Sequence, residues 1–141
     1  AEVMPERALL ARIVARAPEA CVLMTDPKRP FVGTGRGHAL SMHRRYDPEL
    51  WRARNAAEVD LSGDAWRVLL ARIGASHVVV DPGNAPVLAK VLAGSGQPVL
   101  DREGAIEVRG VAGNPAGRCM SAPESSRDRW GTVLSMPGNA R

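Results

Sequence analysis

From Ala65 to Asp81 the chain carries the feature that most restricts its fold. Ala65, Trp66, Leu69, Leu70 and Ile73 recur at helical spacing, Gly74 follows as a stop, and Ser76 to Val80 is a β-branched run ending at Asp81-Pro82-Gly83. Apolar residues three and four apart make a stripe that has to be buried. A strand that is apolar on successive residues needs cover on both faces, which is the situation in sheets layered with helices. Ser62 is placed to cap the helix, Asp64 suits the positive end of its dipole, and Gly74 suits its C′ position. Leu69-Leu70-Ala71-Arg72-Ile73 echoes Leu9-Leu10-Ala11-Arg12-Ile13, and each copy leads to an apolar strand that stops at Asp-Pro. The echo predicts two similar helix–strand units packed side by side, with Asp26 and Asp81 on one edge.

The other segments fit the same scheme. Pro5 to Ala17 reads as the first helix, and Ala20 to Thr25 as a continuous apolar strand stopped by Asp26-Pro27-Lys28-Arg29-Pro30. Phe31 to Tyr46 shows no long periodic element, although Phe31-Val32 suits a short strand and Leu40, Met42 and Tyr46 are apolar anchors. Asp47-Pro48-Glu49 reads as a cap and first turn of a short helix reaching about Ala57. Asn84 is placed to cap a helix with Val87, Leu88, Val91 and Leu92 inward, stopped by Gly94-Ser95-Gly96. Pro98 to Leu100, a turn over Asp101 to Gly104, and Ala105 to Arg109 then predict a hairpin. The expected architecture is α/β: a small three-layer sandwich, a mostly parallel sheet of about four strands, and the C-terminal hairpin. Residues 1–111 form this domain. Residues 112–141, rich in Gly, Pro and Ser, are expected as an extended, partly ordered tail with Thr132 to Met136 as one docking strand.

Charge excludes one class of function. The net charge is +4, yet Lys28 and Lys90 are the only lysines, the arginines are scattered from Arg7 to Arg141, and aromatics make up 4%. Binding to nucleic acid needs a basic stripe, and for single strands aromatic platforms as well, so no nucleic-acid partner is expected. No apolar run approaches the length of a spanning helix. No basic region followed by an apolar core opens the chain, so no signal peptide is visible. Two cysteines are too few for a disulfide scaffold. Cys21 suits a small buried hydrophobe, and a Cys21–Cys119 bridge remains the alternative in an oxidising compartment.

Candidate chemistry concentrates at strand ends and in one glycine-rich loop. Gly33-Thr34-Gly35-Arg36-Gly37-His38 has the composition of a phosphate loop but neither dinucleotide nor P-loop spacing. Gly33, Gly35, Arg36 and His38 are its candidate ligand-binding residues. His38 and His43 near Asp47 lack the further ligands a zinc site requires, so no metal is expected. His77 lies inside a strand and is expected on a sheet face. Asp26 and Asp81 both follow apolar strands, placing them at the carboxyl edge where open α/β sheets bind ligands. Asp-Pro is equally ordinary turn chemistry. No Ser/His/Asp set, nucleophile elbow or paired glutamates are visible, so no catalytic residue is assigned and no cofactor is expected.

The order of elements from Leu9 to Val111 resembles the soluble extracytoplasmic domain of bacterial membrane-embedded glycosyltransferases. These are lipid-phosphate-sugar-dependent enzymes related to protein mannosyltransferases. Ala20 to Asp26 resembles that domain's first strand, and Ile73-Gly74-Ala75-Ser76-His77-Val78-Val79-Val80 its next. The family's catalytic carboxylates sit in a loop between membrane helices, and no stretch here corresponds to it. The tail after Val111 also departs from the family pattern. The resemblance implies a non-catalytic accessory domain on the periplasmic side of the inner membrane. Its partner would be the rest of a membrane-embedded chain, and it would shape a site for an acceptor or a lipid-linked sugar. Two alternatives stand beside it: a free-standing cytoplasmic α/β module binding a phosphorylated small molecule, and a structural or partner-binding domain.

Overall fold

The structure, a computed structural model, describes residues 5–25, 39–42 and 47–111. The described elements are α1 (Pro5–Arg16), β1 (Val22–Met24), β2 (Ala39–Ser41), α2 (Pro48–Val59), α3 (Asp64–Ile73), β3 (His77–Val80), α4 (Pro86–Gly94), β4 (Val99–Glu103) and β5 (Ile106–Gly110). The five strands form one sheet in the order β2-β1-β3-β5-β4. β1 runs parallel to both neighbours, whereas β3–β5 and β5–β4 are antiparallel. The domain is α/β, as expected, but the sheet is mixed rather than mostly parallel. It has five strands rather than four because Ala39 to Ser41 adds a short edge strand. Three residues are too few for a periodicity to register, so Leu40 and Met42 read from sequence only as isolated anchors.

Helices cover both faces, and strand alternation decides which residues they meet. Val22, Met24, Val79, Ile106 and Val108 pack with Leu9, Leu10 and Ile13 of α1. Cys21, Leu23, Val78 and Val80 point the other way, into a core with Leu50, Ala53, Ala57, Trp66, Leu69, Ile73, Leu88 and Leu92 of α2, α3 and α4. The two echoed units are therefore not side-by-side copies. Their strands are adjacent and in register, Leu23 opposite Val78, but α1 lies on one face and α3 on the other. The chain between β1 and β3 passes through β2, α2 and α3, and a crossover of fixed hand delivers those helices to a single face. The opposite face is left for α1.

Helix ends differ from the sequence reading in an instructive way. α3 does stop at Gly74, whose φ of 77° is left-handed and whose N–H bonds the Leu70 carbonyl. At its start the Ser62 hydroxyl accepts the Asp64 N–H at 3.2 Å, and Asp60 shares the capping. One Asp60 oxygen accepts the Ala65 N–H at 2.9 Å, and the other accepts from the Ser62 N–H and hydroxyl. Those hydrogen bonds, the Ser62 hydroxyl first, hold the Asp60 carboxyl below its ordinary value of 3.8. The position directly before α3 is Gly63, with φ of 83°. The hairpin turn is also tighter than expected: Asp101 to Glu103 belong to β4, and the reversal falls at Gly104, with φ of 61°. On β4, Asp101 and Glu103 receive the guanidinium of Arg12 from α1 at 2.7 and 2.9 Å. Residues 112–141, including the expected docking strand, and the expected Phe31-Val32 strand lie outside the described residues.

Gly63 supplies a test of this packing. A Cβ there would fall 2.5 Å from Val91 Cγ2 of α4, in a backbone conformation that disfavours any side chain. Gly63→Ala is expected to lower the unfolding free energy by about 1 kcal/mol or more, read as an earlier urea midpoint. Pairing it with Val91→Ala should remove the clash but not the conformational cost. The double variant should then lose less than the sum of the two single losses. Wild-type stability for Gly63→Ala would contradict the packing described.

Candidate functional site

The parallel pair β1–β3 fixes where a ligand crevice would lie. From β1 the chain moves outward to β2, then returns past β1 to β3, so the connections leave in opposite directions at the carboxyl end of the β1–β3 pair. Such a switch point is where open α/β sheets place their ligands. Asp81 lies there, directly after β3. Asp26, Gly33, Gly35, Arg36 and His38 lie outside the described residues, as does His43. Of the six candidate residues, Asp81 alone can be placed.

Asp81 and its neighbours build a closed turn. One Asp81 carboxylate oxygen accepts the Gly83 N–H at 2.9 Å, while its carbonyl accepts the N–H groups of Asn84 and Ala85. This is an Asx turn, in which the side chain replaces a backbone acceptor. On the neighbouring strand, buried Thr25 gives its hydroxyl proton to the Val79 carbonyl at 2.8 Å and fastens the two strand ends together.

Two residues of α2 that sequence reasoning passed over complete the edge. α2 is a full twelve residues, capped by Asp47, whose carboxylate accepts the Leu50 N–H at 3.0 Å. Leu50, Ala53 and Ala57 are buried, and beside that stripe stand Arg54 and Glu58, four residues apart. Arg54 is buried, donates to the carbonyl of Asn84, and donates to the Asn55 side chain at 3.1 Å. Glu58 accepts the Val87 N–H at 3.2 Å, and from Leu88 N–H and the Trp66 indole N–H at 2.9 Å each. The N-cap position of α4 is Ala85 rather than the expected Asn84, and the carboxylate on the first amides comes from α2. Three backbone groups of one turn are thus met by opposite charges, a guanidinium on a carbonyl and a carboxylate on two amides. The legible signal was the spacing: Arg54 and Glu58 flank the apolar stripe of α2 one turn apart, where a solvated helix face would not begin.

The arrangement has a chemical consequence. Free amides at a helix N-terminus attract phosphate or carboxylate groups. In α4 the amides of Val87 and Leu88 already hold the Glu58 carboxylate. Among the described residues, no group of three His, Cys, Asp or Glu side chains is placed to hold a metal ion. No described helix is long and apolar enough to cross a membrane. Cys21, fully buried beside β1, is engaged in a disulfide; the chain's other cysteine is Cys119, outside the described residues. Comparison with protein-family models, with curated proteins and with solved structures finds no match.

Glu58 is testable by a graded pair of substitutions. Glu58→Ala leaves two backbone amides and a buried indole N–H without their acceptor and is expected to cost about 2–3 kcal/mol. Glu58→Gln keeps one oxygen for two of those donors and should cost roughly half as much. Urea unfolding followed by Trp fluorescence measures both. Equal stabilities for the two variants would remove the carboxylate from its role at α4.

Proposed function

We propose that this domain is a non-catalytic, extracytoplasmic part of a larger membrane protein, shaping the site where an acceptor or lipid-linked sugar meets a membrane-embedded glycosyltransferase-like chain. The observation that carries the reading is the oxidised state of Cys21. Disulfides persist in oxidising compartments and are rare where thioredoxin and glutathione keep thiols reduced. The element order resembling an extracytoplasmic glycosyltransferase domain points to the same side of the membrane. Three acidic groups add support. Asp47, Glu58 and Asp81 each accept backbone N–H groups and so serve the scaffold. A wall held so firmly suits a surface that positions another component's substrate.

The compartment can be measured directly. An antibody to this domain should find the natural gene product in the membrane fraction of the producing cells. Protease added outside the inner membrane should digest the domain without cell lysis, and its cysteines should react with maleimide only after reduction. A product in the soluble lysate, protected until lysis and carrying free thiols, would overturn the proposal.

A further inference from the structure

The opposite, amino-terminal end of the β1–β3 pair is held by a small buried network around Ser76. The Cys21 N–H donates to Ser76 Oγ at 3.0 Å. In return, the N–H groups of Ser76 and His77 both donate to the Cys21 carbonyl, at 2.9 and 3.1 Å. The Val111 N–H donates to the Ser76 carbonyl at 3.0 Å, tying in the end of β5. Ser76 Oγ lies 2.8 Å from Nδ1 of His77 and 3.3 Å from the Cys21 carbonyl oxygen.

Proton counting decides how this network is arranged. A serine hydroxyl has one proton to give. The Cys21 carbonyl has two lone pairs, and two backbone N–H groups already point at it. The hydroxyl is therefore a third donor at the longer distance on that side, whereas Nδ1 is a nearer acceptor. The hydroxyl proton goes to Nδ1, and the neutral ring carries its own proton on Nε2. Charging the imidazole adds a proton at Nδ1 itself. The ring then becomes a donor to Ser76 Oγ, and the hydroxyl must turn to the crowded Cys21 carbonyl.

We propose that Ser76 and His77 form a proton-sensitive latch, in which protonation of His77 reverses its hydrogen bond to Ser76 and weakens the seat of Cys21 between β1 and β3. His77 is half-buried, so protons from solvent reach the ring. In the sheet it stands opposite Val22 of β1 and Gly110 of β5, neither ionisable. The helix over that face, α1, presents Leu9, Leu10 and Ile13 to it, and the charged groups at that helix's end are Arg16 and, in the turn beyond, Glu19. Burial holds the ring below the ordinary histidine value of 6.5. The neutral ring belongs to the folded state. Its contribution is complete above 6.5 and is lost as pH falls from there through the lower folded value.

The Cys21 amide reports on the latch, because its N–H points at the hydroxyl that turns. In the whole 141-residue chain, ¹H–¹⁵N spectra taken between pH 7.5 and 5 should show the Cys21 amide moving with the same midpoint as the His77 ring, below 6.5. In His77→Gln, which cannot charge, the Cys21 amide should stay still over this range. In Ser76→Ala the ring should titrate while the Cys21 amide no longer follows. A Cys21 amide that is flat through the His77 titration in the wild type overturns the proposal. So does one that keeps the same titration in His77→Gln, a variant that leaves Ser76 and its hydrogen bonds with Cys21 in place.

Discussion

β1 is three residues long, and most of the fold follows from what those residues require. It lies inside the sheet with a parallel neighbour on each side, so its backbone groups are paired in both directions. Val22 and Met24 face α1, and Leu23 faces the α2–α4 layer. Each buried side chain of this size contributes about 1.5–3 kcal/mol, but only if both faces are covered. That condition assigns α1 to one side and the three other helices to the other. It also explains why a strand read as six apolar residues contains only three in regular pairing. Ala20, Cys21 and Thr25 are buried around it, yet Cys21 and Thr25 bond across to Ser76 and Val79 at the two ends of the parallel pair.

The polar groups around this core sort by how much water they have lost. The pairs of Arg12 with Asp101 and Glu103 pull the Asp101 carboxyl below 3.8, chiefly through the Arg12 hydrogen bond. Arg12 is nonetheless well exposed, and pairs of that kind contribute roughly 0–1 kcal/mol. Arg54 and Glu58 are in a different position, since they meet backbone groups at the junction of α2, α3 and α4. Hydrogen bonds to charged groups contribute about 1.5–3 kcal/mol, and removing one partner strands the other. α2 thus fastens the loop after β3 and the start of α4, while Trp66 of α3 shares the same carboxylate. Three helices are joined through one side chain.

Legibility in the sequence followed length and locality. The helix from Asp64 to Ile73, its glycine stop and the strand from His77 were readable because ten residues repeat one period and the stop is a single residue with a single geometry. The hairpin was readable from alternation, although its turn was placed too early. β2 was not, because three residues carry no period. The cap of α3 was legible in part, and that of α4 was misplaced. Local sequence offered Ser62 and Asn84; Ser62 does accept the Asp64 N–H, but Asp60 takes the Ala65 N–H and Glu58 reaches the first amides of α4 from a different helix. Capping by a distant side chain leaves no local signature. The echo between Leu9–Ile13 and Leu69–Ile73 described two helices of similar amphipathicity, and amphipathicity says that a helix covers a sheet without saying which face. Of the candidate site, Asp81 was correctly placed at the carboxyl edge, while its Asx turn was the alternative already implicit in Asp-Pro-Gly.

The two ends of the β1–β3 pair therefore respond differently to their surroundings. At the carboxyl end the contacts are a guanidinium on a carbonyl, carboxylates on amides and a threonine hydroxyl on a carbonyl. At the amino end the network turns on His77, the one histidine among the described residues, and histidine is the side chain whose ordinary value lies near neutrality. The Cys21 end is thus the one whose hydrogen bonds turn on a histidine. A sheet of five short strands keeps these behaviours apart because β1 and β3 are apolar between their ends. Val22 to Met24 and Val78 to Val80 offer no polar side chain through which a change at Ser76 could pass to Thr25 or Asp81.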